Sequence, residues 1–305
     1  MNEELKKAFL AQCRGARIPV KADLPLCEYS TFRIGGKADL LLFPTTTEQF
    51  TLQLAMLAQS GLKYKVVGNG SNVLFSDAGY RGVLVFTTEM KQYRFDNDSL
   101  YAQSGASLAR VCNDACKQGF EGFSFGCGIP GTVGGGVYMN AGAYGGQVSD
   151  VLIGSEVYDT ANNRTFTLDA AAHEFSYRHS IFTEHPEYIV LSSRFALSRG
   201  NADEIMQRVR EQLQSRRDKQ PLNFPSAGST FKRPEGYFAG KLIEDAGLKG
   251  ARVGGAEVSE KHAGFVINRG GATAADVLAL VEHIKQRVYE TSGVRLECEF
   301  EYVEE

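Results

Sequence analysis

The most informative stretch of this chain is GCGIPGTVGGGVYMNAGAYGG, at residues 126–146. Its nine glycines are interleaved with apolar residues such as Ile129, Val137 and Met139, so it differs from a flexible linker, which is polar. Glycines at this density allow positive φ angles and let backbone N–H groups approach a ligand without obstruction by Cβ atoms. The stretch therefore predicts a loop that binds an anionic group such as a pyrophosphate. A tightly packed glycine-rich turn without a ligand is the alternative.

A second glycine-rich segment, VVGNGSNVLF at 66–75, follows a strand-like run and predicts a tight turn rich in hydrogen-bond donors. It lacks the third glycine of the GxGxxG fingerprint. The P-loop motif is also missing, because Gly240-Lys241 is followed by Leu242. Two separate donor-rich loops that hold one large dinucleotide are the most economical interpretation.

The composition is that of an ordinary globular protein of 305 residues, with 43% hydrophobic and 23% charged residues. The 33 basic and 36 acidic side chains give a net charge of -3, so no long-range field favours nucleic acid or an anionic membrane. An anionic ligand must then be met by local arginines and lysines. Residues 1–13 carry charges at helical spacing and no continuous apolar run, which predicts a cytoplasmic protein without a signal or membrane segment.

The six cysteines and five histidines are scattered along the chain. No CxxC pair occurs and no histidines accompany the cysteines, so we predict reduced thiols and no metal site. Cys112 and Cys116 share a predicted helix face with Leu108 and Val111, which favours a packing role. His262 is a candidate ligand contact, although a structural role is more common for a lone histidine at the start of a strand.

The first two-thirds of the chain mix short strands with few helices. The patterns predict strands at 38–43, 64–68, 82–86 and 188–197, and helices at 47–60 and 107–118. Because strands and helices do not alternate regularly, an α+β fold is favoured over a doubly wound nucleotide fold.

A polar stretch at 198–203, followed by an amphipathic helix, marks the predicted domain boundary. We predict a first region at 1–204 and a second α+β domain at 205–305. The second domain is predicted to contain helices at 239–246 and 273–291, the latter opened by a capping box of Thr273 and Asp276, and strands at 264–268 and 294–303.

Six motifs together resemble the UDP-N-acetylenolpyruvoylglucosamine reductase family. They are STFRIGGKA (30–38), GNGSN (68–72), GIPGTVGGGVYMNAGAYG (128–145), YRHS (177–180), AGSTFKRP (227–234) and LECE (296–299). The resemblance implies a two-lobed FAD-binding domain of the vanillyl-alcohol-oxidase (PCMH) type, with lobes at about 1–85 and 86–204, followed by a separate α+β substrate-binding domain. The 51 residues from Arg178 to Ser229 resemble the family's shorter, second type, which lacks an inserted loop that closes over the substrate.

The resemblance also implies a reaction and its cofactors. A hydride passes from NADPH to non-covalently bound FAD, and then to the enolpyruvyl group of UDP-N-acetylglucosamine enolpyruvate. The product is UDP-N-acetylmuramate, a peptidoglycan precursor. Hydride addition leaves negative charge beside the substrate carboxylate, so the site needs a cation or strong donors there, and a proton donor on the opposite side.

The catalytic residues implied by the resemblance are Arg178, Ser229 and Glu299. Arg178 and Glu299 would stabilise the enolate-like intermediate, and Ser229 would protonate the carbanion. From the residues alone each has an ordinary alternative. Arg178 fits a surface arginine beside Tyr177, Ser229 fits a conformational turn, and Glu299 fits a solvated acidic ladder with its neighbours along a strand.

The resemblance implies two sets of binding residues. For the UDP diphosphate we expect Lys219 and Arg233, with Tyr177 packing against the substrate. Position 233 is arginine where other members have asparagine, which leaves its contact open. For FAD we expect Arg33, Gly68, Asn69, Gly70, Ser71, Asn72, Gly131, Thr132, Val133, Gly134, Gly135, Tyr144 and Gly145. We expect a monomer that binds neither nucleic acid nor membrane.

Two other functions remain as alternatives. One is a flavin oxidase of the same fold acting on a small alcohol, against which the lack of a histidine-based flavin attachment signal counts mildly. The other is a UDP-sugar binding protein that has lost catalysis, against which the presence of Arg178, Ser229 and Glu299 counts.

Overall fold

The computed structural model describes residues 2–304, which form a mixture of helices and strands. The α-helices are Glu3–Gly15 (α1), Thr47–Ser60 (α2), Leu108–Lys117 (α3), Val133–Tyr138 (α4), Ala202–Lys219 (α5), Ala239–Asp245 (α6) and Ala274–Ser292 (α7). Within residues 2–304, none of them combines the length and the apolar character that crossing a bilayer requires.

The strands are mostly short. They are Val20–Pro25 (β1), Lys37–Leu42 (β2), Tyr64–Val67 (β3), Val73–Phe75 (β4), Tyr80–Phe86 (β5), Tyr93–Phe95 (β6), Ser99–Gln103 (β7), Gly142–Ala143 (β8), Gly146–Gln147 (β9), Leu152–Asp159 (β10), Arg164–Asp169 (β11), Tyr188–Ala196 (β12), Arg252–Val253 (β13), Ala256–Val258 (β14), Val266–Asn268 (β15) and Glu301–Val303 (β16).

The described residues divide into two compact units that take alternating segments of the chain. The first unit contains the residues up to Ala22, Asp39–Asn69 and Gly82–Gln214, and the second contains Asp23–Ala38, Gly70–Arg81 and the residues from Ser215 onward. Two short segments thus join the second unit although they lie far from it in sequence. The predicted boundary at 204 separates a region that binds one ligand from a region that binds another. This boundary stays a prediction.

The first unit contains two sheets, each packed against a helix. The first sheet has the order β1-β2-β5-β3, with β3 and β5 parallel. Helix α2 buries Phe50, Leu54 and Leu57 in the same cluster as residues of β2 and β5. The second sheet has the order β11-β10-β12-β7-β6 and its neighbouring strands are antiparallel. Helix α3 packs there through a face that includes Cys112 and Cys116, which confirms their predicted packing role.

The boundaries of two predicted helices follow from their capping residues. The helix at 47–60 is confirmed as α2, where the Thr46 side chain accepts from the backbone N–H of Gln49 and Gly61 takes a left-handed conformation with φ of 68° at the C-terminus. The predicted capping box is confirmed at α7, since the Thr273 and Asp276 side chains each accept from the other residue's backbone N–H.

The second unit is built around a three-stranded antiparallel sheet, β13-β14-β15. Val258 and Val266 of this sheet share one buried cluster with Val277 and Ile284 of α7. Strand β16 pairs in parallel with β4, and Val73 lies opposite Glu301. This pairing brings the residues that follow GNGSN next to the last strand of the chain.

The predicted strand at 294–303 is wrong over its first seven residues, because only Glu301–Val303 is a strand. The alternation itself is present, because Leu296 and Phe300 are buried in the core of the second unit and Cys298 packs partly against it, but residues 294–300 do not form a continuous ladder of backbone hydrogen bonds with a partner strand. Cys298 forms only an isolated bridge with Phe231. Of the three glutamates in the alternative interpretation, Glu297 and Glu299 therefore lie outside a strand and Glu301 lies within one.

The glycine-rich stretch contains a helix that the sequence pattern does not predict. Val133–Tyr138 forms the short helix α4, and the Thr132 hydroxyl oxygen accepts from the N–H of Gly135 at 3.2 Å. Glycine is a poor helix former, so the helix owes its formation to packing. Val133, Gly134 and Val137 are fully buried, and a Cβ atom on Gly134 would lie 2.8 Å from Ser104 Cβ.

Candidate active site

The N–H groups of the first glycine-rich loop divide into two sets. Val133 donates to Ala106 O at 2.8 Å and Gly134 to Ser104 O at 2.8 Å, so these groups, like that of Gly135, are already paired within the first unit. Within residues 2–304, the backbone N–H groups of Gly131 and Thr132 have no acceptor. Of this loop's predicted phosphate donors, these two are available to a ligand.

The two glycine-rich loops meet in the first unit. Asn69 Nδ2 donates to Pro130 O at 2.7 Å, and a Cβ atom on Gly68 would lie 2.5 Å from Thr132 Oγ1. A larger residue at position 68 would therefore push the loops apart. The structure thus brings together Gly68, Asn69 and Thr132, which were predicted from the sequence to bind the cofactor. Two loops that bind the same ligand must lie close together in this way.

The rest of the GNGSN loop belongs to the second unit, where it contacts the segment STFRIGG. Thr31 donates its N–H to Gly70 O at 3.1 Å. Gly70 has a φ of 60°, and a Cβ atom there would lie 2.2 Å from Tyr29 O. Arg33, two residues beyond Thr31, also has a positive φ, of 56°. Its segment is fixed from the other side by Asn268, whose Nδ2 donates to Phe32 O at 3.2 Å.

An FAD diphosphate fits this arrangement on chemical grounds. In the first unit, the N–H group of Asn69 has no acceptor within residues 2–304, as is the case for Gly131 and Thr132. In the second unit, the N–H groups of Gly70 and Ser71 have no acceptor among the described residues. Unpaired backbone N–H groups next to glycines form the kind of concave site that binds anions. The residues present therefore suit the negatively charged part of the cofactor.

Arg178 is held in the first unit beside the end of the glycine-rich stretch. Its backbone is left-handed, with φ of 56°, and its Nη2 donates to Gly142 O at 3.3 Å. The guanidinium carbon lies 5.3 Å from the centre of the Tyr177 ring. Its loop is anchored on both sides, because Asn140 Nδ2 donates to Ser176 O at 3.1 Å and Ser180 Oγ to Tyr138 O at 2.6 Å. Arg178 is thus a positioned group, unlike the surface arginine of the alternative interpretation.

Tyr144 and Gly145 lie in the turn between β8 and β9. Tyr144 has φ of 55°, and its hydroxyl donates to Gln212 O at 3.0 Å. Gly145 has φ of 83°, and a Cβ atom there would meet nothing within 4 Å among the described residues. The open space above Gly145 leaves room for a ligand, and Tyr144 and Tyr177 are both about half exposed, at 48% and 53%.

Ser229 and Glu299 are brought together in the second unit. Glu299 donates its N–H to the carbonyl oxygen of Thr230, the residue after Ser229, at 2.9 Å. Thr230 is in turn fixed to the strand segment at 264–266, since its N–H donates to Gly264 O at 2.9 Å and its hydroxyl accepts from Val266 N at 2.8 Å. The turn before Ser229 uses Gly228 with φ of 81°. The two predicted catalytic residues of this unit are thus linked through one backbone hydrogen bond.

The predicted substrate cations have different surroundings. Lys219 ends helix α5 and is exposed. Arg233 donates from Nε to Tyr237 O at 3.3 Å, and its guanidinium carbon lies 4.0 Å from the centre of the Phe238 ring. Tyr237 and Phe238 are 47% and 62% exposed, an unusual exposure for aromatic rings. Tyr237 and Phe238 were not among the residues predicted from the sequence. The two adjacent aromatic residues in PEGYF, at 234–238, were the pattern that could have indicated them.

His262 has a structural role. Its Nδ1 accepts from the N–H of Gly264 at 3.1 Å, and its ring packs edge-on against Phe265. Burial lowers the pKa of His262 below its ordinary value, so the neutral ring is favoured. The structural interpretation given to it from sequence fits these contacts.

A cavity of about 570 Å³ lies in the second unit and contains none of the predicted catalytic residues. Its lining includes Arg217, Phe224 and Glu257. Glu257 is buried and pairs with both Arg252 and Arg269. These cations already have an anionic partner, so we assign the chemistry to the hydrogen-bonded segments described above and not to the cavity.

Comparison with known proteins finds matches over both parts of the chain. A family model described as "FAD binding domain" matches residues 38–169, and one described as "UDP-N-acetylenolpyruvoylglucosamine reductase, C-terminal domain" matches residues 220–303. UDP-N-acetylenolpyruvoylglucosamine reductases from Caldicellulosiruptor bescii and Clostridium botulinum are similar to the chain. The first is 47% identical over 97% of this chain and 95% of that protein. The second is 46% identical over 94% of this chain and 93% of that protein.

A solved structure gives the same result at the level of the fold. The crystal structure of UDP-N-acetylenolpyruvylglucosamine reductase from Thermus caldophilus matches with a TM-score of 0.80 and 34% identity, over 93% of this chain and 99% of that one. The predicted class, an α+β fold with an FAD-binding domain of the PCMH type followed by a second domain, is confirmed. The chain's short length fits the shorter type within the family. The chain belongs to the UDP-N-acetylenolpyruvoylglucosamine reductase family.

Proposed function

We propose that Arg178, Ser229 and Glu299 carry the reduction of an enolpyruvyl UDP-sugar in this chain. As a member of its family, the chain is an FAD-dependent reductase that acts in the synthesis of peptidoglycan precursors. Its substrate is UDP-N-acetylglucosamine enolpyruvate, its product is UDP-N-acetylmuramate, and NADPH supplies the hydride. The observation that carries the residue assignment is the hydrogen bond of 2.9 Å from Glu299 N to Thr230 O, which supports a shared role for Ser229 and Glu299.

The cofactor is held by the two glycine-rich loops. In the first unit, the unpaired N–H groups of Asn69, Gly131 and Thr132 bind the diphosphate, and the bond from Asn69 to Pro130 holds the loops at a fixed spacing. Gly70 and Ser71 also bind the cofactor. Gly68, Gly134 and Gly135 keep the backbone close enough for this contact. When bound, FAD accepts a hydride from NADPH and delivers it to the substrate double bond.

The protein supplies charge and a proton to the reacting end of the substrate. Arg178 and Glu299 polarise and stabilise the enolate-like intermediate, with the Arg178 guanidinium beside the charge that develops at the carboxylate. Ser229 Oγ gives its proton to the carbanion. A serine hydroxyl is a weak acid, but a carbanion is basic enough to accept its proton.

The UDP part of the substrate is bound by Lys219 and Arg233, with Tyr177 packing against it. The exposed ring of Phe238 under the Arg233 guanidinium keeps that cation in place. Tyr144, Gly145 and Arg33 complete the surroundings of the cofactor.

The two regions on either side of the predicted boundary bind different ligands. Residues 1–204, with lobes at about 1–85 and 86–204, bind FAD, and residues 205–305 bind the UDP-sugar. The protein works in the cytoplasm as a monomer, where both NADPH and the UDP-linked substrate are available. Light scattering of the purified protein at catalytic concentrations tests the monomer.

The decisive experiment measures cofactor content and turnover together. Purified protein should carry the absorption spectrum of oxidised flavin, and it should oxidise NADPH only when the enolpyruvyl UDP-sugar is present. Peroxide formation from a small alcohol without the UDP-sugar would favour the flavin oxidase instead. Binding of the UDP-sugar without NADPH oxidation by flavin-loaded protein would favour a binding protein that has lost catalysis.

A further inference from the structure

One side chain connects the GNGSN loop to the backbone of Glu299. Asn72 Nδ2 donates to the carbonyl oxygen of Glu299 at 3.0 Å, and the carbonyl oxygen of Asn72 accepts from the N–H of Glu301 at 3.0 Å. All three residues belong to the second unit. Asn72 therefore holds the chain on both sides of Phe300.

The Glu299 carbonyl lies in a gap between two stretches of strand pairing. Before it, Cys298 forms an isolated bridge with Phe231. After it, the parallel pairing of β16 with β4 begins only at Glu301, opposite Val73. A backbone carbonyl between two pairings needs a donor from elsewhere, and the amide of Asn72 supplies one.

The backbone of Glu299 is consequently fixed at both of its peptide groups. Its N–H donates to Thr230 O at 2.9 Å, and its carbonyl accepts from Asn72. The next residue, Phe300, is 6% exposed and anchors the segment in the core. A side chain carried on so constrained a backbone starts from a defined position, which a catalytic carboxyl requires.

We propose that Asn72 is a positioning residue for Glu299, and that it couples the flavin-binding loop to the catalytic carboxyl. The proposal rests on the proposed function, which assigns the loop at 68–72 to FAD and Glu299 to the substrate. It gives the Asn72 amide a role besides contact with the cofactor, because one of its two N–H groups is bonded to the Glu299 carbonyl. A cofactor that orders the loop then also orders the carboxyl.

Asn69 provides a matched control in the same loop. Its Nδ2 also donates to a backbone carbonyl, that of Pro130 at 2.7 Å, which belongs to the first unit. Asn69→Ala and Asn72→Ala therefore each remove one amide-to-carbonyl hydrogen bond from one loop. Only the second change affects the catalytic carboxyl directly.

The test measures the two half-reactions of each FAD-saturated variant by stopped flow. Asn72→Ala should slow oxidation of the reduced flavin by the enolpyruvyl substrate about tenfold relative to flavin reduction by NADPH, because only the former uses Glu299. Asn69→Ala should weaken FAD binding and keep the wild-type ratio of the two rates. If Asn72→Ala fails to fold, Asn72→Asp repeats the test, since it keeps the shape but loses the donor.

Hydrogen exchange supplies a readout that needs no turnover. FAD should slow exchange of the Glu299 and Glu301 N–H groups in the wild-type protein, and Asn72→Ala should lose this effect at Glu299. A wild-type rate ratio in both position 72 variants, with FAD-dependent protection retained, would overturn the proposal and leave the reductase assignment intact. If NADPH failed to reduce the flavin of the wild-type protein, that result would instead contradict the proposed function itself.

Discussion

Gly70 shows how a single position limits the cofactor loop. Its φ of 60° is unfavourable for any residue with a side chain, and a Cβ atom there would lie 2.2 Å from Tyr29 O. Gly145 shares the left-handed conformation, with φ of 83°, but nothing among the described residues lies within 4 Å of its added Cβ. Comparing substitutions at Gly70 and Gly145 therefore separates the free-energy cost of the left-handed conformation from the cost of a steric clash.

We expect Gly145→Ala to lower the free energy of unfolding by about 1–2 kcal/mol, the usual cost of placing a side chain in this conformation. Gly70→Ala should cost about 3 kcal/mol or more, because the loop must also move away from Tyr29. Urea unfolding of both variants without added FAD measures the difference. Equal losses in the two variants would contradict the close approach at Gly70.

Ser229 is the residue whose chemistry is easiest to isolate. Ser229→Ala should slow oxidation of the reduced flavin by the enolpyruvyl substrate by about 10²–10⁴-fold and leave flavin reduction by NADPH unchanged, because only the first needs the proton. Stopped-flow absorbance of the flavin separates the two steps.

Ser226→Ala is a control from the same turn, where the Ser226 hydroxyl accepts from Gly228 N at 3.3 Å. It should cost stability without changing the ratio of the two rates. Equal slowing of both steps by Ser229→Ala would show that the proton donor is another group.

At the scale of elements, two carboxylates attach helix α7 to distant parts of its unit. Asp77, after β4, accepts from Ala274 N at 2.7 Å and Ala275 N at 3.0 Å. Asp276 accepts from Thr273 N at 3.0 Å and from Gly255 N at 3.2 Å. Carboxylates at a helix N-terminus stabilise it through its unpaired N–H groups and its dipole. This helix precedes the segment that carries Glu299, so its attachment also sets where that segment begins.

The capping box of α7 makes stability depend on pH. Hydrogen bonds from the Thr273 and Gly255 N–H groups lower the pKa of Asp276 below its ordinary value of 3.8. Its contribution is therefore present above the unfolded pKa and is lost as the pH falls through the lower, folded pKa. Asp276→Asn should lower stability at neutral pH and reduce the loss of stability below about pH 4. Urea unfolding across this pH range checks the slope, and an unchanged slope would contradict the role of Asp276.

At the scale of the whole molecule, each compact unit is assembled from segments far apart in sequence. The second unit takes Asp23–Ala38 and Gly70–Arg81 from the first third of the chain. In the first unit, Asn69 reaches Pro130 across 61 positions. The cofactor loops are therefore tied to tertiary contacts, and ligand binding should be reflected in overall stability.

FAD should raise the unfolding temperature of the apoprotein far more than riboflavin at the same concentration. Riboflavin lacks the diphosphate that the unpaired N–H groups of the two loops are proposed to bind. A ligand at a hundred times its Kd adds about 2.7 kcal/mol to stability. Thermal unfolding with each ligand measures the effect, and equal shifts would place the main contacts on the isoalloxazine ring instead.

Much of the fold follows from local patterns. Helix α2 was predictable because Thr46, Gly61 and an apolar face specify its two ends and its buried side. Helix α4 was not, because three consecutive glycines give no helical signal and the helix depends on burial against Ser104. The irregular segment before β16 was missed for a similar reason, since the alternating burial of Leu296 and Phe300 is that of a strand, and only the assembled unit determines which residues pair with a partner strand.

The family, the two glycine-rich loops and the candidate catalytic residues could be identified from the amino-acid sequence, because they depend on residue types in a fixed order. The folded arrangement of the chain was needed to establish which N–H groups remain available to a ligand, and that Asn72 holds Glu299. It also decided that Glu299 lies outside a strand. Hydrogen bonds between residues 227 positions apart depend on the packing of whole units, and no local pattern encodes them.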